Sequence, residues 1–107
     1  MKIGILLLTS PENENTEVVA KLSSSAKKKC DVEIFLMDDG VYNVKKDTKA
    51  GERFSELISE GISVSLCAHT AEERGLEKRD CIEKVGFAGQ YELATLVNES
   101  DRFLVFG

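Results

Sequence analysis

The chain has 107 residues, 42% of them hydrophobic and 31% charged, a balance that buries well over half of the unfolded surface and excludes an intrinsically disordered chain. Fourteen Lys and Arg against nineteen Asp and Glu leave a formal charge of −5, which opposes phosphate attraction, so direct binding to nucleic acid is not expected. The length suits one domain over residues 1–107. The longest wholly apolar run, Ile5-Leu6-Leu7-Leu8, is far short of the roughly 20 residues of a membrane span and follows Met1-Lys2 without a signal-peptide layout, so the expectation is a soluble cytoplasmic protein without a membrane partner.

Residues 2–8 are continuously apolar, the pattern of a strand covered on both faces. After Thr9-Ser10-Pro11, residues 14–29 place Val18, Val19, Leu22 and Ala26 at helical spacing and end in Lys27-Lys28-Lys29, cations suited to the negative end of a helix. Residues 31–37 predict a second strand, closed by Asp38-Asp39-Gly40. Residues 41–50 are polar and lysine-rich without a clear period and read as a surface loop. Residues 51–60 repeat the helical spacing with Phe54, Leu57 and Ile58, Gly61 stops them, and residues 62–66 form the third strand with Cys67 at its carboxyl end. A helical turn over 71–74 stopped by Gly75, a short fourth strand over 85–87, a helix over 91–98 and a fifth strand over 102–106 complete the chain.

Strand-helix alternation with short connections requires right-handed crossovers, which predicts a three-layer α/β/α fold around a mostly parallel five-stranded sheet. The carboxyl ends of its strands share one edge, where ligands and chemistry gather. That edge collects Thr9-Ser10, Asp38-Asp39-Gly40, Cys67 and the turn over 86–89.

Three cysteines, Cys30, Cys67 and Cys81, with no C-x-x-C pair and a single histidine, His69, argue against both a disulfide scaffold and a metal site. Cys67 is the candidate nucleophile. Thr70-Ala71-Glu72-Glu73 has the form of a capping box, so the thiol is expected at a helix mouth whose field favours thiolate, with His69 two residues on to add charge or a hydrogen bond. The plain structural counterpart is a small buried cysteine at a strand end. Cys30 and Cys81 read as packing residues, and Lys45, Lys46, Lys49 and Arg53 as a solvated basic surface or a dock for an acidic partner. A phosphate loop after the first strand lacks glycine and carries Glu12 and Glu14, which disfavours flavin or nucleotide as cofactor. A phospho-receiver site fails because the acid pair Asp38-Asp39 follows the second strand and Cys67 occupies the position after the third.

Asp39-Gly40-Val41-Tyr42-Asn43, Cys67 followed by Arg74-Gly75, Gly86-Phe87 before the last helix and Asp101-Arg102 before the final strand together resemble the DsrE/TusD family of small sulfur carriers. The resemblance runs from the first strand to the carboxyl terminus. It implies a sulfurtransferase subunit in which Cys67 accepts sulfane sulfur as a persulfide and hands it on, in tRNA 2-thiouridine synthesis or sulfur oxidation, without metal or organic cofactor. It also implies donor and acceptor proteins as partners and a trimeric or hexameric assembly of one chain or of related chains. Apolar cover over the cysteine is then expected, with Val41 and Tyr42 supplying part of it and the site partly open to solvent. The competing reading is a non-catalytic oligomeric binding or regulatory module in which the cysteine is incidental.

Overall fold

In the computed structural model, which describes residues 1–107, the first apolar run becomes β1 (Lys2–Leu7) at an interior position of the sheet, paired with β2 (Asp31–Leu36) on one side and β5 (Arg102–Phe106) on the other. Between β1 and β2 lies α1 (Asn15–Lys27), and α2 (Lys49–Ser59) leads from β2 to β3 (Ser63–Cys67). The chain continues through α3 (Ala68–Glu73), β4 (Gly86–Ala88) and α4 (Gln90–Glu99) to β5. The strand order β4-β3-β2-β1-β5 is parallel throughout. No helix is long and apolar enough to cross a membrane.

Chain direction decides which face each helix covers. The crossovers from β1 to β4 step steadily one way, so right-handedness puts α1, α2 and α3 on one face; the return from β4 to β5 runs the other way and leaves α4 alone on the opposite face. Side chains alternate accordingly. Ile5, Leu7, Val32, Ile34, Leu36, Val64 and Leu66 point to the three-helix face and join Val19, Ala20, Phe54 and Leu57 in a core of 19 buried residues. The α4 face buries only Phe35, Cys67 and Leu96, with Leu6, Met37, Ala88, Leu93 and Phe103 half-buried around them. At about 1.5–3 kcal/mol for each fully buried large apolar side chain, the first face supplies most of the stabilisation.

Residues 41–50 are not the surface loop their polarity suggests. Asp38–Val44 is a 3-10 turn that buries Val41, Asn43 and Val44 completely, because residues three apart eclipse on a 3-10 turn and bring the two valines to the same side. The lysine-rich remainder is short. Thr48 caps α2, its hydroxyl donating to the Lys45 carbonyl (2.7 Å) and accepting from Gly51 N–H (3.0 Å), so that helix starts at Lys49 rather than at 51.

A second departure concerns α3. The expected capping box puts Thr70 before the helix, whereas the helix already begins at Ala68 with Cys67 in the N-cap position and Thr70 buried inside it. Gly75 ends it at φ +73°, a conformation glycine adopts freely. Before β4, Lys78–Asp80 forms a further 3-10 turn and Cys81 makes an antiparallel bridge with Lys45.

Candidate functional site

Cys67 ends β3, opposite Ala88 of β4. Strand alternation sends Val64 and Leu66 to the three-helix face and Cys67 to the other, where it packs with Phe35 and Leu96 and is only 3% exposed. The expectation of a partly open thiol is therefore corrected: the first turns of α4 lie over it. The expected cover is corrected as well. Val41 and Tyr42 belong to the core of the opposite face, while Met37, Ala88 and Leu93 line the cysteine's surroundings. Gln90 Nε2 lies 3.7 Å from Met37 Sδ and ties the start of α4 to the end of β2.

Two helices begin at this edge. Cys67 is itself the N-cap of α3 but makes no side-chain capping bond there. The ten-residue α4 starts two residues after Ala88, on the face that holds the sulfur, and its free N–H groups carry the partial positive charge of a helix amino end. The field expected from α3 is thus joined by that of α4. Glu92 Oε1 accepts from Gly89 N–H at 2.6 Å and offsets part of it.

His69 stands elsewhere. Its side chain is 79% exposed on α3, with Nε2 3.4 Å from the Glu73 carboxylate one turn on, and it makes no hydrogen bond to the buried thiol. Cys30 is half-buried between α1 and β2, and Cys81 is buried in the three-helix core. Burial, helped by the Asp80 carboxylate, pushes the Cys81 thiol pKa up, which opposes thiolate formation there.

The Asp39-to-Asn43 block is explained residue by residue. Asp39 Oδ1 accepts from Arg74 Nε at 3.0 Å, which pins α3 to the 3-10 turn, and this carboxylate raises the Arg74 pKa. Gly40 has no room for a Cβ, which would collide with the Leu7 carbonyl oxygen. Val41 fills the core and Tyr42 packs against it. Fully buried Asn43 donates through Nδ2 to the carbonyls of Thr9 (3.0 Å) and Gly40 (2.9 Å) and accepts from the Thr16 hydroxyl (2.6 Å). It fastens the end of β1, the start of α1 and the 3-10 turn together. Sequence reading missed this network; its only signal was an asparagine between buried valine positions.

A cleft of about 510 Å³ opens beside this turn, lined by Ser10, Glu12, Asp39, Tyr42, Lys45 and Lys49 among others. A larger depression of about 690 Å³ lies far off among polar residues of α1 and Glu60. Neither reaches Cys67. Lys45, Lys46 and Lys49 form no ion pairs, whereas Arg53 pairs with Glu17 (3.6 Å) and Glu56 (3.5 Å). Nowhere do three His, Cys, Asp or Glu side chains converge into a metal-ligand set.

Comparison with known proteins gives one family match. The model of the DsrE/DsrF-like family covers residues 1–106. An uncharacterized protein of Methanocaldococcus jannaschii, MJ0989, is 34% identical over 82 residues, 71% of this chain and 72% of its own. MK0008 of Methanopyrus kandleri, also described as uncharacterized, is 37% identical over 82 residues, 71% of this chain and 68% of its own. Among solved structures, YchN of E. coli superposes with a TM-score of 0.89 over 99% of both chains at 22% identity. MTH1491 of Methanobacterium thermoautotrophicum gives 0.83 over 97% of both at 16% identity. At these identities the structural matches establish the fold.

Proposed function

The chain belongs to the DsrE/DsrF-like family, and on that premise we propose that it is a sulfur-relay protein that carries sulfane sulfur as a persulfide on Cys67. One observation carries the reading: Cys67 sits at the carboxyl edge of the sheet in an apolar enclosure that the amino end of a helix closes. In loading, the Cys67 thiolate attacks the terminal sulfur of a donor persulfide, R–S–SH. A sulfur–sulfur bond forms on Cys67, the donor's own breaks, and the donor leaves as thiolate RS⁻. An acceptor thiolate reverses the step. The α4 amino end favours the negative charge of the bound persulfide, and the apolar enclosure keeps solvent thiols away between transfers.

His69, exposed beside Glu73, serves a docked donor rather than the resting thiol and protonates the departing thiolate. Lys45, Lys46 and Lys49, free of ion pairs, supply charge for an acidic partner. The pathway is tRNA 2-thiouridine synthesis or sulfur oxidation, in a trimeric or hexameric cytoplasmic assembly of this chain or with related subunits. That neither of the two large clefts reaches Cys67 favours the second reading, a binding or regulatory module with an incidental cysteine.

Intact-mass spectrometry after incubation with a persulfide donor separates the two. The relay reading expects a gain of one sulfur atom, lost in Cys67→Ser; a Cys67→Ser protein that loads as readily as its parent overturns it.

A further inference from the structure

The two edges of the sheet are built differently. The edge strand β4 has three residues, follows Lys84 at φ +70° and runs into Gly89, and such short, irregular edges resist pairing. At the other edge β5 has five regular residues, Arg102-Phe103-Leu104-Val105-Phe106, with no proline or charge after its first residue. Its side chains stay open on both faces, Leu104 36% and Val105 57% exposed.

The ladder with β1 dictates which backbone groups of β5 are free. Ile3 lies opposite Arg102 and Leu7 opposite Phe106, and Leu8 N–H donates to the Phe106 carbonyl at 2.9 Å. Alternate residues of a strand face a given neighbour, so Arg102, Leu104 and Phe106 spend their N–H and C=O groups on β1. Those of Phe103 and Val105 point outward with no partner. The free groups are symmetric about Leu104.

We propose that β5 is an interface between two copies of this chain, paired antiparallel about a two-fold axis through Leu104 and perpendicular to the sheet. Phe103 of each copy then faces Val105 of the other. Each pair exchanges two N–H···O=C bonds, so all four free donors and acceptors on each strand are used. The same register brings Leu104 against its own counterpart and Arg102 beside the Phe106 ring of the second copy, an attractive cation–aromatic contact. Sliding the strands toward their amino ends brings Asp101 into the ladder, whose N–H is already bonded to the Lys2 carbonyl at 2.8 Å. A second copy fits better than an unrelated strand because the edge is complementary to itself, and two-fold pairing closes it where a head-to-tail arrangement leaves an edge open. The inference is independent of the chemistry at Cys67.

Sedimentation or light scattering of the whole chain, with variants, tests it. The parent mass is expected to be an even multiple of the chain mass, which selects the hexamer over the trimer of the proposed assemblies, and Val105→Pro is expected to halve it, since the N–H it removes faces outward and the β1 ladder does not use it. Val105→Lys, an edge charge, is expected to do the same and carries the test if the proline variant lacks native circular dichroism. Leu104→Cys is expected, on mild oxidation, to yield peptides linked symmetrically through position 104, because directly opposed residues at a non-hydrogen-bonded site lie about 4.5 Å apart between Cα atoms, within disulfide reach. Val105→Cys is expected to give no such self-link. A monomeric parent, an unchanged mass in the folded Val105 variants, or no self-linked peptide from Leu104→Cys overturns the proposal.

Discussion

The two faces of the sheet bury cysteines to nearly the same extent, Cys81 at 2% and Cys67 at 3% exposure, yet by different means. Cys81 is one of the 19 buried residues of the three-helix core; one helix and two other fully buried side chains enclose Cys67. Static burial is equal while the energy resisting exposure is not. Opening the first face breaks most of the hydrophobic core, whereas opening the second displaces the start of α4, held by few buried apolar contacts. Local opening draws on such weakly held segments, so the proposed relay, in which the thiol is hidden between transfers and reached during them, is better served by the weaker face.

Core truncation tests the contrast most strongly. Phe54→Ala, in the three-helix core, is expected to cost about 3–5 kcal/mol in urea unfolding, and Leu96→Ala under α4 about 2–3 kcal/mol, since the thin face relaxes around the gap. Leu96→Ala should also speed alkylation of Cys67 severalfold while leaving Cys81 protected. Equal protection of both thiols in that variant breaks the contrast. Asn43→Ala strands two carbonyls and the Thr16 hydroxyl in the buried network on the thick face, with an expected loss of about 1–3 kcal/mol; an unchanged unfolding midpoint contradicts that assignment.

Titration sharpens the comparison further. Burial lifts the folded Cys81 pKa above its unfolded value, near 8.5, so its contribution to stability is complete below that pH and is lost as pH rises toward the folded value. Unfolding free energy should decline from about pH 8.5 upward, and Cys81→Ala should flatten that slope. The smallest effect is expected at His69. His69→Ala should slow sulfur loading about twofold to tenfold and leave alkylation of resting Cys67 unchanged, because the imidazole lies outside the enclosure; a matching fall in alkylation would place it at the thiol instead.

Much of this arrangement is legible in the chain. Apolar runs marked β1 and β2 because interior strands of a parallel sheet are buried on both faces, β5 was marked by its apolar composition although it lies at the open edge, and helical spacing marked α1, α2 and α4 within a few residues. The alternation of Val64 and Leu66 with Ser65 holds the information that Cys67 lies on the Ser65 face, although the expectation of a partly open thiol did not draw on it. It did not show that this face receives one helix, a property of strand order and not of local pattern. The 3-10 turn was hidden because its buried valines, Val41 and Val44, sit among polar residues, and the Thr16–Asn43 bond joins positions 27 apart that no local period links. The Asp39-to-Asn43 block, which carried the family resemblance, builds the sheet edge and does not touch the sulfur.

Cys67 and Cys81 provide the most direct measurement. The native protein, incubated with a persulfide donor without denaturant and then digested, is expected to carry added sulfur on the peptide containing Cys67 and none on that containing Cys81. No sulfur on Cys67, or equal sulfur on both cysteines, would contradict a carrier site on the thinly covered face.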